Sequence, residues 1–172
     1  MKLVGAALVF LASSSLGVLL ARNLALRQEV LRELQVALQL LETEIAYAAS
    51  PLPEALHRVA ERTRPPTRHL FAAAGRALNG TCGTTAAEAW NQGLAALARA
   101  APLEAEDWAV LTDFGQGLGR GDREDQVKKL ALARSQLRQL EEAAAENRQR
   151  QAKVWQTLGL LGGLVLILLL YW

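Results

Sequence analysis

Apolar residues recur along this chain at helical spacing. Leu24, Leu31, Leu34, Leu38, Leu41 and Ile45 fall seven, three, four, three and four positions apart, a seam on one face of a long helix. No proline lies between Leu3 and Ala49, so this helix is expected to continue from the chain's apolar start. Ser50-Pro51-Leu52-Pro53-Glu54 breaks it and opens a second helix, since proline is tolerated in a first turn. That helix carries Leu56, Val59 and Ala60 and stops at Pro65-Pro66. A third runs from about Thr67 through Leu70, Phe71, Ala74 and Leu78 to Asn79-Gly80. Thr85-Ala-Ala-Glu88 is a capping-box pattern, predicting a fourth helix with Trp90, Leu94 and Leu97 inward. Pro102 precedes a fifth, bearing Trp108, Leu111, Phe114 and Leu118. Gly115, Gly117, Gly119 and Gly121 then alternate across a tight turn between helices, and Asp122 has the chemistry of an N-cap. From Arg123 a last helix passes through Val127, Leu130, Arg134, Leu137 and Leu140, with neither proline nor glycine until Gly159. No alternating pattern predicts a strand. The expected fold is all-α: an antiparallel bundle of about six helices over residues 22–153, flanked by an N-terminal and a C-terminal transmembrane helix.

The flanking helices follow from where charge is absent. Residues 3–21 and 154–172 are each 19 positions without a charged side chain. As helices each reaches roughly 28 Å, close to the hydrocarbon thickness of a bilayer. Of 36 charged residues, 35 lie between Arg22 and Lys153, the exception being Lys2. Tyr171 and Trp172 close the second run with side chains favoured at membrane interfaces. Arg22, Arg27 and Arg32 follow the first run, while Arg148, Arg150 and Lys153 precede the second. By the positive-inside rule residues 22–153 are expected on the cytoplasmic side and both termini outside. An even number of helices agrees, because it returns the chain to the side it left. Gly159 and Gly163 form a G-x-x-x-G pair, and Ser13 with Gly17 a looser one, spacings that let helices approach closely in lipid. A rival reading remains open. Lys2, the apolar Leu3–Leu11 stretch and the small residues Ala12 and Ser14 also fit a cleaved signal peptide, which would make residues 22–153 an extracytoplasmic interaction domain anchored at its C-terminus.

Composition narrows the function. Of 172 residues, 51% are apolar and 21% charged, with a net charge of +2; without Lys2 the middle segment holds 18 basic against 17 acidic residues. That near-neutral balance excludes a polybasic nucleic-acid binder. One cysteine excludes a disulfide framework. His57 and His69 have no carboxylate or cysteine at ligand spacing, and Cys82 has no local base. The glycine run follows a helix rather than a strand and lacks a phosphate-binding lysine. Neither catalysis, metal binding nor a cofactor is expected. What remains is surface. Glu42 and Glu44 beside the first seam, and Gly119, Asp122, Arg123, Asp125, Gln126 and Lys129 around the last helix start, are candidates for docking another protein.

Two stretches resemble a known family. Leu41-Glu42-Thr43-Glu44-Ile45-Ala46-Tyr47 followed by Ser50-Pro51-Leu52-Pro53-Glu54-Ala55-Leu56, and Phe114-Gly115-Gln116-Gly117-Leu118-Gly119 followed by Asp122-Arg123-Glu124-Asp125-Gln126, resemble signatures of the stage III sporulation protein AB family. The layout of a span at each end and a helical middle is also similar. Ser50 stands where that family often has Thr, and Gly121 where a small hydroxyl residue is usual, so a side-chain bond at the last cap is expected to be missing. The resemblance implies a membrane component of the sporulation channel between mother cell and forespore. That family is in turn similar to the cytoplasmic helical domain of inner-membrane platform proteins in type II secretion and type IV pilus machines. The implied partners are a secretion-type ATPase encoded in the same operon, docking from the mother-cell side, other channel membrane proteins and the lipid bilayer. A homo-oligomer is among the expected assemblies.

Overall fold

The computed structural model describes residues 2–48, 50–80 and 83–171, with side chains over 22–48, 50–80 and 83–150. Among them are six helices and no strand: α1 (Lys2–Ala46), α2 (Leu52–Arg62), α3 (Thr67–Gly80), α4 (Ala86–Ala98), α5 (Ala105–Gly117) and α6 (Arg123–Tyr171). Their ends fall where local chemistry requires. Pro51 precedes α2, and Thr63 and the cis Pro65–Pro66 peptide separate it from α3. Thr85 caps α4 through its hydroxyl, which accepts from Glu88 N at 3.2 Å, while the Glu88 carboxylate accepts from Thr85 N at 2.9 Å. Those bonds from Thr85 hold the Glu88 carboxyl below its ordinary value. At α6 the expected loss of a cap at Gly121 is covered by its neighbour: Asp122 Oδ1 accepts from Asp125 N at 2.8 Å.

α1 and α6 run antiparallel as the two long members. Arg123 reaches Ala46 O at 3.5 Å, Arg134 reaches Glu42 at 2.6 Å, Arg32 reaches Glu141 at 2.7 Å, and Arg148 reaches Gln28 at 3.3 Å. Burial pushes the Glu141 carboxyl up, but hydrogen bonds from Arg32, Gln28 and Gln35 outweigh it and leave its pKa lowered. The other four helices fold back and forth against this pair, each packing on its neighbour in sequence, so the chain closes a ring in which α5 meets α6 and α6 meets α1. The α1 seam of Leu31, Leu34, Leu38, Leu41 and Ile45 is buried, and Leu24 at its start is half-buried. From α6 come Leu130, Ala133, Leu137 and Ala144. Arg134 lies off this seam and reaches across to Glu42 and Gln39 of α1.

The centre of the core is Trp90, fully buried on α4. Its ring meets Phe71 and Phe114 edge-on, at centroid distances of 5.6 and 5.0 Å, and its indole N–H donates to Leu111 O at 2.8 Å. This packing decides where α5 ends. The glycine alternation predicts a turn from Gly115 onward, yet Gly115 and Gly117 are helical. A Cβ at Gly115 would overlap the Trp90 indole, so the bare backbone lets α5 lie against that ring and continue for another turn. Leu118 is consequently the C-cap of α5 rather than part of it. The turn itself is confined to Gly119 and Gly121, with φ of +73° and +85°.

Candidate docking end and the opposite end

The antiparallel order gives the bundle two ends of different character. At one end lie the α1–α2 and α5–α6 connections and the start of α4. At the other lie the α2–α3 and α4–α5 connections, and from it α1 and α6 continue towards residues 2 and 171.

Seven of the eight candidate docking residues gather at or beside the surface of the first end. Arg123 and Gln126 line a shallow recess with Ile45, Ser50 and Leu52. Lys129 Nζ donates to Gly117 O at 3.4 Å, Asp122 caps α6, and Asp125 is exposed beside Gly121. Gly119 lies against Ala86, where an added Cβ would come within 2.9 Å of the alanine methyl. Glu42 sits on the α1–α6 seam, bound by Arg134. Glu44 differs. It is 7% exposed and turned towards α2, where its carboxylate accepts from Arg58 at 2.9 Å and from Ser50 Oγ at 3.2 Å, with Arg62 at 3.9 Å. Its role is to hold the α1–α2 turn in place beneath the recess.

Beside Lys129 a groove runs between α5 and α6, lined by Val110, Asp113, Phe114, Gly117, Leu132 and Ala133. Leu132 is 61% exposed on its outer lip. Its position between Leu130 and Ala133, off the buried seam, is the sequence signal that marks it as an outward leucine.

The other end is organised by a buried ion pair. Arg27, 5% exposed, binds fully buried Asp107 in two-pronged fashion, Nε to Oδ2 at 2.8 Å and Nη2 to Oδ1 at 3.0 Å. Its remaining Nη1 lies 2.7 Å from Glu104 Oε1. Asp107 Oδ2 also accepts from Glu104 N at 2.8 Å, so one carboxylate closes the first turn of α5 and ties that turn to α1. The hydrogen bond to Asp107 raises the guanidinium pKa against the opposing effect of burial. Glu104-Ala-Glu-Asp107 has the spacing of a capping box, a signal that could have found the cap but not its arginine.

Other candidates do not assemble into a site. His57 and His69 are exposed on separate helices, His57 lying 3.5 Å from Glu61 one turn on. Among the described residues no group of His, Cys, Asp and Glu could hold a metal ion. Cys82 lies outside the described residues. No helix among the described residues is long and apolar enough to cross a membrane. The two uncharged runs, with Ser13, Gly17, Gly159 and Gly163, fall on the ends of α1 and α6 whose side chains lie outside the described residues.

A family model for stage III sporulation protein AB matches residues 2–171. The chain belongs to this family. A stage III sporulation protein AB of Bacillus subtilis (strain 168) is 35% identical over 170 residues, 99% of each chain. A solved structure of a stage III sporulation protein AB has a TM-score of 0.68 to this fold at 33% identity, covering 73% of this chain and 98% of the solved one. In this member of the stage III sporulation protein AB family, the two stretches that carry the resemblance are neighbours in space. Ile45, Ser50 and Leu52 of the first face Arg123 and Gln126 of the second across the recess.

Proposed function

We propose that this chain is a membrane-anchored scaffold and assembly component of the secretion-like channel between mother cell and forespore. The two uncharged runs cross the membrane, residues 22–153 stand on the cytoplasmic, mother-cell side, and both termini face out. The end of the bundle farthest from the runs docks a secretion-type ATPase, while the membrane-side end and the spans meet other channel proteins.

The observation that carries this reading is the convergence at the far end. Residues from two signatures about seventy positions apart share one recess there. Next to it, the α5–α6 groove with exposed Leu132 offers an apolar seat beside the charge of Lys129. Apolar contact rimmed by charge is the pattern of a protein interface. Labelling Cys82 with a membrane-impermeant thiol reagent tests the topology. Protection in intact cells and reaction after lysis are expected. Reaction from outside intact cells would favour the extracytoplasmic alternative.

A further inference from the structure

The pairing of α1 with α6 fixes a register that can be followed beyond the bundle. Arg134 binds Glu42 at 2.6 Å, and Arg148 donates to Gln28 at 3.3 Å. The two contacts are fourteen residues apart on each helix, so the register holds without a slip over about four turns. Arg32 and Glu141, 2.7 Å apart, close the same interface between them. Both helices continue past the Gln28–Arg148 contact, α1 back to Lys2 and α6 on to Tyr171.

Eleven residues return a helix to nearly the same face after about three turns, roughly 16 Å farther along. Counted back from Gln28 on α1, that position is Gly17; counted on from Arg148 on α6, it is Gly159. Four residues beyond these stand Ser13 on one helix and Gly163 on the other. The small residues of the two uncharged runs therefore fall at matching heights in the register that the bundle sets. A slip of one turn either way would place Trp155 level with Gly17, or Ile167 level with Ser13. Small residues four apart let two helices approach closely in lipid, where packing rather than exclusion of water drives association. Such spacing alone names no partner. The register of the bundle names one.

We infer that the two uncharged runs pack against each other within one chain, with Gly17 opposite Gly159 and Ser13 level with Gly163, as a continuation of the α1–α6 interface. The inference rests on the two-span reading and identifies what the small-residue faces meet: the other end of the same chain. The two long helices then form one antiparallel strut from the Arg123 end of the bundle through the membrane. Other channel proteins meet the outer faces of the spans, because the small-residue faces are occupied.

The test is disulfide cross-linking in the full chain, carrying Cys82→Ser, in vesicles of phosphatidylcholine. Gly17→Cys with Gly159→Cys is compared with Gly17→Cys with Leu166→Cys, a pair displaced by two turns, about 10 Å. A disulfide needs Cα atoms roughly 4–7 Å apart, so the first pair is expected to oxidise at least about fivefold faster, within monomers. Ser13→Cys with Gly163→Cys is expected to follow the first pair, and adding Gly159→Leu to it to slow the reaction about fivefold by forcing the helices apart. Equal rates for the matched and displaced pairs, or disulfide-linked dimers in place of cross-linked monomers, overturn the proposal. Intact mass of the same samples reads the N-terminus. A chain that retains residues 1–14 and does not cross-link overturns this contact alone, whereas a chain that lacks them overturns the two-span reading.

Discussion

Arg27 and Asp107, 80 positions apart, meet in a two-point ion pair with the carboxylate fully buried. The arginine comes from a helix that continues into an uncharged run, and the aspartate from the first turn of α5, whose other end leads into the glycine turn. The pair therefore fixes the register of α5 between the two ends of the bundle.

Breaking that pair from either side leaves an uncompensated buried charge. Arg27→Met or Asp107→Leu alone is expected to lower stability by about 3–5 kcal/mol. Replacing both with apolar residues, Arg27→Met with Asp107→Leu, is expected to recover most of the loss, because neither charge is then stranded. Denaturant titration of the four proteins as a double-mutant cycle reads this directly. Additive losses would show that the two side chains do not act as a pair.

Gly115→Ala is expected to destabilise by about 1–3 kcal/mol, since the new methyl overlaps the Trp90 ring. Gly80→Ala is its control: no atom lies within 4 Å of the added Cβ, and the effect is expected to be neutral or slightly stabilising. Urea midpoints, with Trp90 fluorescence reporting the core, separate the two. Equal effects would show that the glycine–indole contact does not set the cost.

The Glu141 carboxyl has a lowered pKa in the fold, so its contribution to stability is present above the ordinary carboxylate value and fades as pH falls through the folded value. Because Arg32 is 67% exposed, that contribution is expected to be under about 1 kcal/mol. Glu141→Gln is expected to flatten the acid side of the stability–pH curve without altering it near neutrality beyond a small constant offset. A steeper acid loss in the variant would contradict this assignment.

Most helix boundaries were legible because each is local chemistry: prolines at 51, 65, 66 and 102, a capping box at Thr85, an acid at Asp122. The family resemblance was legible for the same reason, being carried by two short contiguous stretches. What could not be read was tertiary. Arg27 reads as one of the positive flanks of a span, and nothing near it in sequence announces a buried partner on α5. Glu44 reads as a surface acid until Arg58 and Arg62, on the facing helix, enclose it. Gly115 and Gly117 read as turn residues because glycine disfavours helix interiors, and contact with Trp90 overrides that preference at Gly115. The gathering of docking candidates at one end depends on the antiparallel pairing of α1 with α6, which spacing predicts, and on the exact length of α5, which it does not.

A photo-crosslinking side chain introduced at position 129, or separately at position 99, of the full chain in sporulating cells tests the central claim most directly. A covalent adduct with the secretion-type ATPase from position 129 and none from position 99 is the expected result. An ATPase adduct from position 99 with none from position 129, or no adduct from either in cells that still assemble the channel, would contradict docking at the far end of the bundle.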